Sequence, residues 1–187
     1  MKNPKAIFDA VRTIAGPLSQ GDVDLINHAI IAAMHGDDLN KTSHREIGAK
    51  GLALIKKWEG LRLKAYRDIG GIWTIGYGST GPHVKAGSVL TEKQAEALLQ
   101  DDLDRFEAAV ADNAKNASQN EYDALVSLAF NIGIKAFKDS TALRRHNEGD
   151  KKGAAEALQW FNKVQGRTVQ GLVNRRKEEA DLYLSRV

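Results

Sequence analysis

Apolar residues recur along this chain at helical spacing almost everywhere except in one short central stretch. Ile7, Phe8, Val11 and Ile14 follow Asn3-Pro4, a capping oxygen ahead of a proline whose missing N–H costs nothing in a first turn, and Gly16-Pro17 ends the run. Ser19 and Asp22 open a second helical stripe of Val23, Ile26, Ile30 and Met34, which stops at Gly36. Asp37 to Thr42 is polar and reads as a linker. The chain is therefore expected to divide into a two-helix appendage, 1–42, and a main domain, 43–187. Roughly 40 residues do not stabilise themselves without staples, so the appendage either packs on the main domain or presents its stripes to a partner.

In the main domain Ser43 and Glu46 have capping-box spacing and predict a helix running to Gly60, with Ile47, Gly51, Leu54, Ile55 and Trp58 on one face. The period then changes. Leu61, Leu63 and Ala65 alternate with Arg62 and Lys64, a strand signal, and Gly70-Gly71 turns the chain toward a second strand, Ile72 to Ile75. Gly76, Gly78, Gly81, Pro82 and Gly87 leave room for at most one more short strand. Helical spacing returns at the Thr91/Gln94 capping box, which opens a helix of roughly 23 residues, about 35 Å long, with Ala95, Leu98, Leu99, Phe106 and Val110 inward. Ser118 and Glu121 cap the next helix (Tyr122, Leu125, Leu128, Ala129), ended by Asn131-Ile132-Gly133, and further helices are predicted over 140–148, 151–161 and 168–186. The fold class is α+β, mainly α: a small hairpin-bearing lobe, a long connecting helix and a helical lobe, with a cleft between the lobes.

Composition narrows the chemistry. The 187 residues are 42% hydrophobic, enough for one good core. There is no cysteine, which excludes disulfides, thiolate metal sites and cysteine nucleophiles. The five histidines are scattered without metal-ligand spacing, so no metal site is expected. No apolar run is long enough to span a membrane or serve as a secretory signal, and a cytoplasmic protein is expected. The net charge is +3; residues 1–46 hold five basic and six acidic side chains, leaving 22 basic and 18 acidic in the rest. That mild excess suits an anionic polymer, but nothing resembles a recognition helix or a dense basic stripe, so nucleic acid is not an expected partner.

The change of period at Trp58–Gly78, WEGLRLKAYRDIGGIWTIGYG, coincides with a group of polar residues suited to glycoside hydrolysis. That reaction needs an acid to protonate the leaving oxygen and a carboxylate on the opposite face of the sugar. Glu59 follows Trp58 at a helix C-terminus, where apolar neighbours and the negative helix end both favour the protonated form an acid needs. Asp68, among Arg67, Gly70 and Gly71, has a wetter setting suited to an ionised partner, and Thr74 can hold a water. An acid at a helix end and another before a turn are also commonplace structural features.

Glu59, Asp68 and Thr74 stand in the Glu-x8-Asp-x5-Thr order of the phage-type lysozymes, glycoside hydrolase family 24, and the chain resembles that family in three further blocks: SQNEYDALVSLAFNIG (118–133), STALRRHNEGD (140–150) and GLVNRRKEEADLYL (171–184). The resemblance spans about residues 45–187. It implies a two-lobed lysozyme-like fold, bacterial peptidoglycan as the substrate, inverting hydrolysis of its β-1,4 N-acetylmuramic acid–N-acetylglucosamine bond, no cofactor, and a monomer. It makes Glu59 the general acid, Asp68 the residue that orients or activates water, and Thr74 the support of that water. Some members carry Cys where this chain has Asp68, together with an uncleaved membrane signal-anchor. This chain has neither, and release to the wall through a separate holin-type pore is the expectation.

The resemblance also marks Arg175 as a partner of Glu59, expected in loose or substrate-dependent contact because a close cation opposes protonation of an acid; an exposed Arg paired with Glu178 or Glu179 is the other reading. Asn131 lines the cleft or caps a helix C-terminus. Trp73 is a candidate sugar contact, Tyr66 and Tyr77 face the cleft or pack the sheet, and Trp160, Phe161, Leu125 and Phe130 read as core. Arg144, Arg145, Lys151 and Lys152 form a solvated helix end or steer toward anionic wall or outer-membrane headgroups. Two other functions fit parts of the pattern: a lytic transglycosylase, which needs a Glu but no water-holding Asp, and a non-catalytic wall-binding virion protein.

Overall fold

The computed structural model describes residues 45–68 and 70–186. The appendage helices, the boundary at 42/43 and the Ser43 cap lie outside the described residues. Among the described residues the order is α1 (Ala49–Glu59), β1 (Arg62–Arg67), β2 (Trp73–Gly76), β3 (Ser79–Thr80), α2 (Glu92–Asn113), α3 (Gln119–Ile132), α4 (Ile134–Lys138), α5 (Thr141–Asn147), α6 (Lys151–Leu158), β4 (Lys163–Val164), β5 (Arg167–Thr168) and α7 (Gln170–Leu184). The fold is mainly helical with a small antiparallel sheet, as expected.

Helix α3 is the centre. Tyr122 through Ala129 are buried without a break, and α1, α2 and α7 all pack against it. A helix buried all round has no polar face to turn outward, so its polar side chains must find partners within the protein. Both Ser118–Glu121 and Thr91–Gln94 form reciprocal capping boxes, as their spacing predicts.

Helix α1 begins at Ala49, later than Ser43 and Glu46 suggest; residues 45–48 are not helical. Its first N–H groups are satisfied from a distance. The Asp123 carboxylate on α3 accepts from Gly48 N at 2.8 Å and Gly51 N at 3.1 Å, and Glu107 on α2 accepts from Ile47 N at 2.8 Å. The approach is close: a Cβ added at Gly51 would stand 2.6 Å from Asp123 Cβ.

The sheet has order β1-β2-β3, all antiparallel, with Tyr66 opposite Thr74 and Arg67 opposite Trp73. Ile75, Val84 and Leu98 form a small core between the sheet and α2.

Three further features depart from the sequence reading. Helix α4 is additional. Helix α6 ends at Leu158 instead of 161, and an unpredicted hairpin, β4–β5, follows, turning through Gln165 (φ 49°) and Gly166 (φ 77°). Two consecutive positive φ values are what a two-residue hairpin loop requires. Trp160 is a correction to the expected core: it is 57% exposed, with the Arg145 guanidinium 5.3 Å over its ring. Leu125 is buried, and Phe130 and Phe161 are partly buried against the core, as expected.

Buried His146 ties the C-terminal helices together. Its Nε2 lies 2.9 Å from the Lys115 carbonyl, so Nε2 donates and Nδ1 accepts from the Tyr183 hydroxyl at 2.6 Å. Lys151 Nζ is 3.4 Å from the same Nδ1 and 3.1 Å from Glu121. Burial first, and then the Lys151 cation, hold His146 below its usual range.

Two measurements follow. Gly51→Ala should lower the unfolding free energy: overpacking costs about 1–3 kcal/mol against a helix-propensity gain of about 1 kcal/mol, and urea denaturation measures the net. His146 resists protonation when folded, whereas the unfolded chain takes up the proton below about pH 6.5. Stability should therefore fall as the pH drops from about 6.5, and His146→Gln should flatten that part of a Tm-against-pH curve. Glu121, held below the usual carboxylate range by its Ser118 and Lys151 hydrogen bonds against the opposing effect of burial, acts only at lower pH.

Candidate active site

Glu59 is the last residue of α1. Gly60 follows with φ 69°, a left-handed conformation that breaks the helix and directs the chain into β1. Glu59 keeps 23% of its side chain exposed. The turn after β2 comes alongside, since a Cβ at Gly78 would lie 3.8 Å from Glu59 Oε2. From the other side Arg175 on α7 donates from Nη1 to Glu59 Oε1 at 2.8 Å. The expected loose contact is thus a close ion pair, and the reading of Arg175 as an exposed surface residue is overturned, since its side chain is only 4% exposed.

The pair is supported by a buried cluster. Arg175 Nε donates to Glu179 Oε1 at 3.1 Å. Arg176 donates from Nη2 to the same oxygen at 2.9 Å, and its Nε stands 2.8 Å from Oε2. The Ser127 hydroxyl of α3 donates to Oε1 at 2.7 Å. Glu179 is fully buried, and burial pushes its carboxyl above the usual range against the pull of Arg176 and Arg175. The guanidiniums around it can only donate, which matches the ionised carboxylate. Burial likewise lowers Arg176, opposed by Glu179. Glu178, the neighbouring acid, points elsewhere. It accepts from Lys57 Nζ at 2.6 Å and from Trp58 Nε1 at 3.1 Å, a second link between α1 and α7.

Asp68 and Thr74 are joined to each other through one residue of the hairpin. Asp68 Oδ1 accepts from Ile72 N at 2.8 Å, its own N–H donates to Ile72 O at 3.0 Å, and the Thr74 hydroxyl donates to Ile72 O at 3.2 Å. Asp68 is half-buried while Thr74 is buried. Among the described residues no hydrogen bond or ion pair joins Glu59 directly to either; the part of the hairpin lobe that lies alongside Glu59 is the turn after β2, at Gly78. Trp73 is half-buried beneath the Arg67 guanidinium, 4.8 Å from its ring. Asn131 is exposed on the last turn of α3, beside Gly133, and bonds to none of the other candidates. Tyr77 is buried and Tyr66 is exposed.

The basic residues of α5 and α6 are largely engaged locally. Arg144 pairs with Glu148, Arg145 bonds the Gly153 carbonyl and lies 3.7 Å from Glu156, and Lys151 pairs with Glu121, while Lys152 is exposed. Sequence reasoning missed Arg176, Glu179 and Ser127 as parts of the site. The signal was present in the Arg-Arg-x-x-Glu spacing, but nothing local shows that this face of α7 is buried.

A family model described as phage lysozyme matches residues 56–179. The endolysin of Acyrthosiphon pisum secondary endosymbiont phage 1 is 46% identical over 144 residues, covering 74% of this chain and 98% of that protein. The endolysin of Bacillus phage PZA is 44% identical over 143 residues, covering 75% of this chain and 55% of that protein. Among solved structures, an endolysin from Escherichia coli O157:H7 phage FAHEc1 aligns with a TM-score of 0.71 at 50% identity, covering 76% of this chain and 95% of that one.

Proposed function

The chain belongs to the phage lysozyme family and is a glycoside hydrolase of the lysozyme class, and from that premise we propose that it is an endolysin cutting the β-1,4 bond between N-acetylmuramic acid and N-acetylglucosamine with inversion. Peptidoglycan is its substrate. Glu59 protonates the glycosidic oxygen, Asp68 orients or activates the attacking water, and Thr74 supports that water. The observation that carries this reading is the placement of Glu59: a partly exposed carboxyl at a helix end, held by a buried arginine and flanked by the turn of the strand that bears Thr74.

The two carboxyls have contrasting settings: Glu59 sits against a buried charged cluster, whereas Asp68 is held in a hairpin by the Ile72 N–H. The Thr74 hydroxyl donates to Ile72 O and keeps its lone pairs as acceptors for a water proton. The same reading has Asn131 and Trp73 contact the glycan, residues 1–42 form a separate appendage on the catalytic domain 43–187, and the enzyme act as a monomer that reaches the wall through a separate holin-type pore.

Product analysis on purified peptidoglycan tests the assignment. The wild type should release reducing N-acetylmuramic acid ends, first as the α-anomer by NMR, and Glu59→Gln should lower the rate by about 10²–10⁴-fold. Anhydro-sugar ends would move the protein to the lytic transglycosylases and leave Asp68 without a role. Binding without cleavage by both proteins would make it a wall-binding module.

A further inference from the structure

The charges around the Glu59 ion pair cancel when Glu59 is ionised: Arg175 and Arg176 face Glu59 and Glu179. A general acid must carry a proton before it can deliver one. Protonating Glu59 leaves one net positive charge in a cluster where Arg175, Arg176 and Glu179 are each at most 3% exposed and solvent screens little. With Glu179 absent, the same step would leave two uncompensated guanidiniums, and the ionised acid would be strongly favoured.

We propose that Glu179 is a positioning residue for the reaction: its carboxylate fixes Arg175 beside Glu59 and offsets that cation, so that Glu59 can be protonated with Arg175 still in place. The geometry divides Arg175 between the two acids, with Nη1 on Glu59 at 2.8 Å and Nε on Glu179 at 3.1 Å. Arg176 and the Ser127 hydroxyl hold Glu179 from behind, at 2.9 and 2.7 Å. Of the other charged groups on the packed elements, Lys57 pairs with Glu178, Lys56 with Glu96 and Lys151 with Glu121, Asp123 accepts from the Gly48 and Gly51 N–H groups, and Lys50, Lys152, Glu156, Lys177 and Asp181 are exposed to solvent. Helix α3 faces Glu179 with the uncharged Ser127. Of the acids on α7, then, Glu179 is the one that bears on Arg175. The inference rests on Glu59 acting as general acid.

The test is kcat and KM against pH on purified peptidoglycan for the wild type, Glu179→Gln, Arg176→Met and the double variant, with folding checked by circular dichroism. Glu179→Gln should move the alkaline limb of kcat to lower pH by about one unit or more, a loss of roughly tenfold on that limb, with KM little changed. Arg176→Met removes a cation and should move the limb upward. The double variant restores one cation facing one acid, and its limb should return near that of the wild type. Removing both members of a buried pair is tolerated better than removing one, so if Glu179→Gln does not fold, the other two variants carry the test. Limbs that coincide in all folded variants, with activity following stability alone, would overturn the proposal. Glu59→Gln separates the two levels: if it keeps full activity, the acid assignment itself fails, and if it is inactive while the limbs stay fixed, only the role of Glu179 fails.

Discussion

Burial of helix α3 on every side is the constraint from which the rest of the structure follows. A helix without a wet face must satisfy each of its polar side chains inside the protein, because an unpaired buried polar group costs about 1–3 kcal/mol. Asp123 does so by taking the N–H groups of Gly48 and Gly51 at the start of α1. Ser127 does so by donating to Glu179 on α7, and Asn120 by donating to the Ser185 and Arg186 carbonyls just past the end of α7. These three contacts orient α1 and α7 against a common axis. Glu59, at the far end of α1, then meets Arg175, and the ion pair between them is a consequence of how α3 is satisfied.

The same arrangement explains how a buried cation can sit beside an acid. An isolated guanidinium in that position would strongly favour the ionised carboxylate. Here Arg175 is shared with a second carboxylate, and that carboxylate is in turn shared with Arg176. Mutual pairing and the Ser127 hydroxyl offset part of the cost of burying these charges, while Arg175 Nη2 and Arg176 Nη1 have no hydrogen-bond partner among the described residues. The hairpin is built by different forces: short-range hydrogen bonds around Ile72 and the small core of Ile75, Val84 and Leu98. The candidate acid Glu59 and the candidate pair Asp68 and Thr74 thus belong to separately stabilised parts of the fold.

Much of this was legible in the residues. The two capping boxes are local, since each is closed by side chains three positions apart, and the helices they open begin where the spacing says. The first hairpin announces itself by period-two alternation and Gly70-Gly71. The start of α1 was misplaced because its cap comes from Asp123, more than 70 residues away. The second hairpin was missed because strands of two residues have no period to read; only Gln165-Gly166 marks the turn. Trp160 was assigned to the core on hydrophobicity alone, and its exposure beside Arg145 depends on where α6 stops.

The order Glu59, Asp68, Thr74 and the family likeness of the segments around it are properties of the sequence, and they identified the class of chemistry without coordinates. Which charges surround the acid was decided by the tertiary structure alone. Arg-Arg-Lys-Glu-Glu reads equally well as a solvated helix face, with Arg175 free to pair with either acid at i+3 or i+4. Packing of α7 onto α3 turns Glu179 inward and leaves Glu178 at the surface with Lys57. Burial is a property of which faces meet, and a local sequence pattern does not encode which of two equivalent carboxylates will be enclosed.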